Sequence, residues 1–309
     1  MSRLSILSLC LAVIAGASPA IGATRTFVAS TGADTGVCSR AAPCRSFAYA
    51  VTQTSPAGEL DVLDSAGYGP VTITQAISIV APAGVIASIA APANVDGITI
   101  NAGANDLVEI RGLTLEGGGA GGAGVVFNSG GTLLVSDCVI QNFVGSNTRY
   151  AAGVLIQPNT SPAQVIVEDT KLIGNYSYGL MVQPVKTVTL KITVQRVLAA
   201  KNGSIGVTVS STYNSSVAVA MTQVTATGNG VGLSAAGQGM TSIFDQVNVL
   251  HNFTGLSTGF GTHFIGRSVV LGNNYGLSLG VGTNYSYGNN QINANTTDIS
   301  GTLNPAPLR

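Results

Sequence analysis

Hydrophobic and polar positions follow one repeating pattern through most of the chain. In each copy a short apolar run leads to an asparagine, and a few residues later a glycine precedes a large aliphatic residue. These glycine-aliphatic pairs are Gly153-Val154, Gly179-Leu180, Gly206-Val207, Gly232-Leu233, Gly255-Leu256 and Gly276-Leu277. The steps between them are about 21 to 27 residues, a period typical of stacked repeats. The pattern therefore predicts a solenoid, in which each repeat contacts only its neighbours.

The segments between the turns have the composition of strands. Apolar positions alternate with polar ones or form short β-branched runs, as in residues 165–167, 188–194 and 217–221. Such segments are typical of strands with one buried side. One coil of about 23 residues predicts about nine or ten coils, stacked about 4.8 Å apart. The register is least regular in residues 84–131, which are rich in glycine and alanine.

The asparagine of each copy is predicted to lie directly above the asparagine of the next. Stacked amides can hydrogen-bond along the axis of parallel strands, and the glycine that follows allows a tight turn. The predicted structural ladder consists of Asn142, Asn175, Asn202, Asn229, Asn252 and Asn273.

Composition and charge exclude several classes of protein. Only 8% of the 309 residues are charged and 40 are glycine, while the mean hydropathy is +0.40. The chain is therefore too apolar for disorder and too rich in glycine for a helical protein. Formal net charge at pH 7 is zero, so no overall attraction to nucleic acid or an anionic membrane is expected. No acid lies between Asp169 and Asp245, and the Lys and Arg residues there are read as a solvated face.

The first residues have the pattern of an export signal. Met1-Ser2-Arg3 is a short basic start, residues 4–17 are apolar, and small residues then allow cleavage after Ala20 or Ala23. We therefore predict a signal peptide over residues 1–23 and a secreted protein, extracellular or periplasmic. No later apolar run reaches the length of a membrane span, so no membrane anchor is expected.

The mature chain keeps three cysteines. Cys38 and Cys44 lie six residues apart in a turn-rich loop, and export permits a disulfide between them. Cys138 is left over within an apolar run, where it is predicted to act as a small buried hydrophobe rather than a reactive thiol.

Three stretches near the N-terminus carry a resemblance to a known family. They are residues 26–34 (TFVASTGAD), 43–51 (PCRSFAYAV) and 67–73 (GYGPVTI). They resemble the opening of secreted right-handed parallel β-helix proteins of the pectin-lyase-like superfold, which have PbH1-type repeats. The resemblance implies an all-β, right-handed parallel β-helix over residues 24–300, with an N-terminal cap over 24–58 and a tail over 301–309.

A short amphipathic helix is predicted within this cap. Ser46 is a suitable N-cap residue, and Phe47, Ala50 and Val51 fall on one side of the segment that follows it. In the family that the sequence resembles, a helix at this place covers the open end of the solenoid. A terminal repeat needs such a cover, because open strand edges invite aggregation.

The resemblance also invites a search for the catalytic motifs of polysaccharide-cleaving members. The polygalacturonase-like signatures Asn-Thr-Asp, paired Asp, Gly-His-Gly and Arg-Ile-Lys are absent from the sequence. Without two carboxylates bracketing a glycosidic bond, acid/base hydrolysis is not expected.

A lyase requires less machinery. Asp137 and Asp169 precede neighbouring ladder positions and are predicted to stack about 5 Å apart, where they would hold calcium or substrate. Lys191 or Arg196 would then supply the base. The alternative is a column that only favours polar residues at a turn, since later copies carry Gln195, Gln223 and Asp245.

Four aromatic residues fall in or near the asparagine-to-glycine turns of three copies: Tyr176, Tyr178, Phe253 and Tyr275. They would form either an aromatic strip for sugar binding or a stack that only fills the turns.

The sequence therefore predicts an extracellular binding or structural protein that contacts polysaccharide or cell-surface material, without a recognisable catalytic constellation. No cofactor is required for this function. The alternative is a polysaccharide lyase acting on an acidic polysaccharide, for which calcium is the expected cofactor.

Overall fold

The computed structural model describes residues 23–145 and 150–307, so the predicted signal peptide and Cys10 lie outside the described residues except for Ala23. The strands in chain order begin with β1 (Ala23–Val28), β2 (Thr54–Val62), β3 (Ala66–Gly67), β4 (Val71–Ile73), β5 (Ile77–Val80), β6 (Ala87–Ala90), β7 (Ile98–Asn101), β8 (Leu107–Arg111), β9 (Leu113–Glu116), β10 (Val125–Ser129) and β11 (Thr132–Ser136). They continue with β12 (Val139–Gln141), β13 (Ala152–Ile156), β14 (Ala163–Glu168), β15 (Lys171–Ile173), β16 (Tyr178–Val182), β17 (Thr189–Gln195), β18 (Leu198–Ala200), β19 (Ile205–Ser210), β20 (Ser216–Thr222), β21 (Thr225–Thr227) and β22 (Val231–Ala236). The last are β23 (Met240–Asp245), β24 (Asn248–Leu250), β25 (Thr254–Thr258), β26 (Thr262–Gly266), β27 (Val269–Leu271), β28 (Tyr275–Leu279), β29 (Thr283–Ser286), β30 (Gln291–Asn293), β31 (Thr297–Ser300) and β32 (Asn304–Pro305). One helix, α1 (Phe47–Gln53), lies between β1 and β2.

The strands form three parallel sheets that wind into a right-handed β-helix, as predicted. Sheet 1 has 12 strands and contains β1, β2, β5 and then every third strand to β32. Sheet 2 has 10 strands, β3 and every third strand to β30, and sheet 3 has 10 strands, β4 and every third strand to β31. Twelve strands about 4.8 Å apart give a body roughly 50 Å long.

Each coil visits the three sheets in the same order. A strand of sheet 1 leads through turn 1 to a short strand of sheet 2, through turn 2 to sheet 3, and through turn 3 back to sheet 1. In the coil that begins with β17, turn 1 is Arg196-Val197 and turn 2 runs over residues 201–204. From β15 onward turn 2 is short, whereas it lengthens in earlier coils, as in residues 117–124 between β9 and β10. Turn 3 also varies in length and therefore shapes the surface beside sheet 1.

The core runs through the centre of the coils. Alternate residues of each strand point inward, and in-register columns such as Val165, Ile192 and Val219 are buried on successive coils. Each such side chain contributes roughly 1.5–3 kcal/mol by leaving water. One continuous hydrophobic cluster extends from Val28 to Leu279 and forms the main core. A second, smaller cluster lies apart from it and consists of Ala123, Val126, Ala152, Leu155 and Met181.

The N-terminal cap contains the predicted helix. The Ser46 side chain accepts a hydrogen bond from the backbone N–H of Tyr49 at 3.2 Å, and Phe47, Ala50 and Val51 are buried. The Phe47 ring packs against Tyr68 with centroids 5.1 Å apart. The helix therefore begins and is oriented as its sequence predicts.

The cysteines occupy the predicted environments. Cys38 and Cys44 form a disulfide, which confirms that prediction. Cys138 is buried in the core cluster, and burial raises the pKa of its thiol to about 12. At neutral pH it is therefore an uncharged hydrophobe rather than a reactive thiolate.

An asparagine ladder runs along turn 2. In each step the backbone N–H and the side-chain Nδ2 of one asparagine donate to the Oδ1 of the asparagine on the next coil, at 2.8–3.1 Å. The members of this ladder are Asn175, Asn202, Asn229, Asn252, Asn273 and Asn295.

Asn142 lies outside the ladder, contrary to the prediction. Because Gln141 pairs with Ile173, Asn142 is level with Gly174, and both have positive φ angles (61° and 63°). The ladder position on this coil is taken by Phe143, whose backbone N–H donates to Asn175 Oδ1 at 3.2 Å. Asparagine and glycine both tolerate a left-handed conformation. Asn142 therefore occupies the first position of turn 2, as Gly174 does on the next coil.

The chain continues to form coils after residue 300, because Asn304–Pro305 adds a strand to sheet 1. The described residues include no helix long and apolar enough to span a membrane.

Candidate functional site

Turn 1 carries a column of residues in the left-handed conformation, each about one strand spacing from the next. Strand register aligns them on successive coils, and their φ angles lie between 49° and 75°. They are Gly112, Asp137, Asp169, Arg196, Gln223, Gln246 and Arg267. The predicted column therefore exists, but Gln195 and Asp245 do not belong to it. Both are the last residues of sheet 1 strands, one position before the turn.

Asp137 and Asp169 stack on adjacent coils, and Asp169 is already bound by an arginine. Arg196 Nε donates to Asp169 Oδ1 and Arg196 Nη2 to Asp169 Oδ2, both at 2.6 Å. Arg196 also contacts Glu168 at 3.4 Å. Hydrogen bonding from Arg196 holds the pKa of Asp169 below its usual value.

These contacts make Arg196 unsuitable as a proton-accepting base. A guanidinium remains protonated in proteins, and the hydrogen bond to Asp169 raises its pKa further. Among residues 23–145 and 150–307 no group of three or more His, Cys, Asp or Glu is placed to hold a metal ion. Calcium at Asp137 and Asp169 stays a prediction.

Lys191 lies near the start of its sheet 1 strand, at the opposite end from turn 1. It is five residues before Arg196 on an extended strand, which separates the two by about 16 Å. The structure therefore does not bring Lys191 to the aspartate column. It places Lys191 in a groove of about 340 Å³ between sheet 1 and the turn 3 loops. The groove is lined by Ala104, Asn105, Gly131, Thr132, Pro162, Ala163, Gln164, Thr189 and Lys191.

The floor of this Lys191 groove is a column of polar side chains. Thr132, Gln164 and Lys191 pair in register on β11, β14 and β17. Their strand neighbours Val165 and Ile192 are buried, so alternation directs the polar side chains outward. Lys191 is exposed, and its ammonium makes no hydrogen bond or ion pair with any residue that the structure describes. Thr132 and Gln164 were not singled out from the sequence, although strand alternation places them on the same face as Lys191.

The four predicted aromatic residues fall into two groups. Tyr178 is half-buried against Tyr150, with ring centroids 5.9 Å apart, and Tyr176 on the same coil is 71% exposed. Phe253 and Tyr275 form an edge-to-face pair with centroids 5.8 Å apart.

Two coils separate these groups. In the positions equivalent to Tyr176 and Tyr178, those coils carry Gly203 and Ile205, then Gly230 and Val231. The aromatic residues therefore do not form one continuous strip.

A charged groove at the N-terminal end of sheet 1 was not predicted. It has a volume of about 460 Å³, and Arg25 forms ion pairs with Glu59 and Asp61, while Arg111 pairs with Glu109. Burial, followed by the neighbouring Asp61 carboxyl, raises the pKa of Glu59. Alternation in Glu59-Leu60-Asp61 could have indicated that both carboxyls share a face. The ion pairs of Arg25 join β1 to β2, which gives the groove a structural role.

Comparisons with known proteins give little beyond the fold. Neither a family model nor a curated protein matches the sequence. Among solved structures the chain is similar to the crystal structure of pectate lyase Pel9A, at 14% sequence identity and a TM-score of 0.48, over 88% of this chain and 73% of that one. This similarity carries no argument about ligand or activity. The three parallel sheets with their successive coils show by themselves that the chain is a right-handed parallel β-helix protein.

Proposed function

We propose that the protein binds an acidic polysaccharide, without cleaving it, in the Lys191 groove. The observation that carries this proposal is an exposed ammonium without an acidic partner, in a groove otherwise lined by neutral residues. A carboxylate of the polymer would form a charge-assisted hydrogen bond with Lys191. The amide of Gln164 and the hydroxyls of Thr132 and Thr189 would bind the hydroxyl groups of the sugars.

The direction of the groove favours a linear polymer. Its polar side chains come from successive coils, so they repeat about every 4.8 Å along the axis. A chain of regularly repeating sugars can meet such a column at several positions at once. Binding then adds many weak contacts, as expected for a surface that recognises a polymer rather than a small molecule. The predicted signal peptide would bring this surface into contact with polymers outside the cell.

A lyase is the second candidate, because the same lysine could accept a proton. In that reaction the base removes a proton beside a uronate carboxylate, the adjacent C–O bond breaks, and a carbon–carbon double bond forms. The carboxylate must meanwhile be neutralised by a cation. The lining of the groove contains no carboxylate that would hold calcium. Asp137 and Asp169 lie at turn 1, at the other end of the sheet 1 strands. Binding is therefore favoured over cleavage.

The test compares polygalacturonate with its fully methyl-esterified form, which has the same backbone without the charge. We expect the wild-type protein to bind polygalacturonate, and Lys191→Ala to weaken that binding about tenfold. Lys191→Arg should retain most of it, because the charge remains. Lys201→Ala is the matched control, since Lys201 is an exposed lysine at turn 2.

Cleavage is measured in the same samples, with calcium and with a chelator. New unsaturated chain ends that depend on Lys191 would replace the binding proposal with a lyase. Equal binding of charged and esterified polymer, or equal losses in Lys191→Ala and Lys201→Ala, would show that the groove is not the site.

A further inference from the structure

The outer face of sheet 3 carries a row of hydroxyl groups near its C-terminal end. Ser234, Ser257 and Ser278 are in register on β22, β25 and β28, so their side chains repeat about every 4.8 Å. Their strand neighbours Leu256 and Leu277 are fully buried, which directs the serines outward. The three serines are half-buried, and their hydroxyls form no hydrogen bond with residues 23–145 or 150–307.

The surface beside this row is flat on the turn 3 side, where only small outward-facing residues follow the serines. Two residues before each serine the strands carry a glycine, and two residues after it an alanine or a glycine. At Gly232 and Gly255 a Cβ would lie 2.6 and 2.5 Å from a backbone oxygen of the next coil. The Cβ of Gly232 would also lie 2.6 Å from Cγ1 of Val249, a buried residue of sheet 2, so it would point into the coil, and only glycine fits there. The outward residue on the turn 2 side of the row is Tyr275 on the last of the three coils.

On the same coils, exposed apolar side chains lie at the turns on both sides of sheet 3. At turn 2, Phe253 is 59% and Tyr275 42% exposed, and at turn 3, Phe260 is 55% and Val281 75% exposed. Phe253 and Tyr275 are arranged edge to face, which leaves aromatic surface open to a ligand. Apolar surface of this extent around a polar floor is typical of an interaction site.

The face is also uncharged. Between Gln246 and Thr297 the only Lys, Arg, Asp or Glu is Arg267, and Arg267 lies at turn 1, where it pairs with Asp245. A charged partner would lose hydration on this face without gaining a counter-ion, which is costly. The absence of charge on the described face therefore favours a neutral partner.

We propose that this serine face, defined by Ser234, Ser257, Ser278 and the bordering Phe253 and Tyr275, binds a neutral polysaccharide. Sugars present C–H surfaces that pack on aromatic rings and hydroxyls that pair with serine hydroxyls. A linear polymer along the axis would meet one serine per coil. The serine face is on a different sheet from the Lys191 groove, so the protein would hold a neutral and an acidic polymer at once. This inference does not rest on the proposed function.

The experiment measures migration in native gels that contain barley β-glucan, arabinoxylan or galactomannan. We expect at least one of these neutral polymers to retard the wild-type protein. The double variant Phe253→Ala/Tyr275→Ala should weaken retardation about tenfold or more, since each ring contributes separately. Ser257→Asp should do the same by placing a charge on the floor. Circular dichroism and urea unfolding establish that each variant is folded.

Two controls separate this site from other surfaces. Tyr287→Ala removes an aromatic residue that is 53% exposed and packs against Phe264 of sheet 1, and it should leave retardation unchanged. Lys191→Ala should also leave it unchanged, even if binding of polygalacturonate is lost.

Retardation by none of the three polymers would overturn the proposal, as would equal weakening in Tyr287→Ala. The face could instead bind a second copy of the chain. Sedimentation velocity would then show self-association that Ser257→Asp abolishes, without retardation by any polymer, and that result would also overturn it.

Discussion

At the scale of single residues, the asparagine ladder combines several roles in one side chain. Asn229 Oδ1 accepts from both the backbone N–H and the Nδ2 of Asn202, while its own Nδ2 donates to Asn252 Oδ1 and to the carbonyl of Ala199. All of these groups are buried, where an unsatisfied donor or acceptor costs about 1–3 kcal/mol. The side chain therefore satisfies polar groups on three coils.

We expect Asn229→Ala to lower the free energy of unfolding by about 2–4 kcal/mol. The reason is that it leaves the buried backbone N–H of Asn202 without its acceptor and removes the donors to the Ala199 carbonyl and to Asn252 Oδ1. Urea unfolding followed by circular dichroism measures the change. Asn248→Ala is the control, since Asn248 is exposed on sheet 2 and should cost less than about 0.5 kcal/mol. Similar losses in the two variants would mean that the ladder bonds add no stability beyond the turn itself.

At the scale of elements, the cap helix depends on a residue outside it. Asp34 accepts hydrogen bonds from the backbone N–H groups of Arg45 and Ser46 at 2.8 and 2.9 Å, and from Ser46 Oγ at 2.7 Å. Burial alone would raise the pKa of Asp34, but the hydrogen bonds from Ser46 and Arg45 lower it overall. The carboxylate thus fixes the N-terminus of α1 over the first coil.

Replacement of Asp34 by alanine should therefore loosen the cap and cost about 1–3 kcal/mol. Thermal unfolding gives the loss of stability, and light scattering at intermediate temperature reports association through the uncovered strand edge. Thr35→Ala changes the neighbouring exposed residue and should have little effect on either measurement. Unchanged unfolding in Asp34→Ala would show that helix burial alone holds the cap.

The elements also show how far the sequence determines the molecule. The repeated apolar runs predict the coils and most of the ladder, and Ser46 with the amphipathic segment after it predicts the cap helix, because each depends on local spacing. Asn142 was misassigned because it follows its strand directly, at the level of Gly174, whereas the ladder residue Asn175 follows its strand one residue later. The Lys191 groove could not be predicted in full, since it joins residues from coils that are connected by turn 3 loops of unequal length. Columns across such loops cannot be aligned without the strand register.

At the scale of the whole molecule, the interior is almost entirely apolar, and His263 is an exception that links stability to pH. Its Nδ1 lies 2.7 Å from Ser242 Oγ and its Nε2 3.2 Å from the carbonyl oxygen of Gly259. A neutral ring satisfies both contacts, with Nε2–H donating and Nδ1 accepting. Burial lowers the pKa of His263 below its usual value of 6.5, so the folded protein holds the ring neutral.

The unfolded chain binds a proton at this histidine as the pH falls below 6.5, and the folded chain does so only at a lower pH. The resulting stability is fully present above pH 6.5 and is lost as the pH falls from there through the folded pKa. The loss is about 1.4 kcal/mol for each pH unit by which the folded pKa lies below 6.5. We therefore expect the free energy of unfolding to decrease between pH 7.5 and 5. His263→Gln should be less stable at pH 7.5 but should lose this slope, whereas His251→Gln, a change at an exposed turn, should retain it. The same slope in both variants would mean that protonation elsewhere in the coils governs stability in this range.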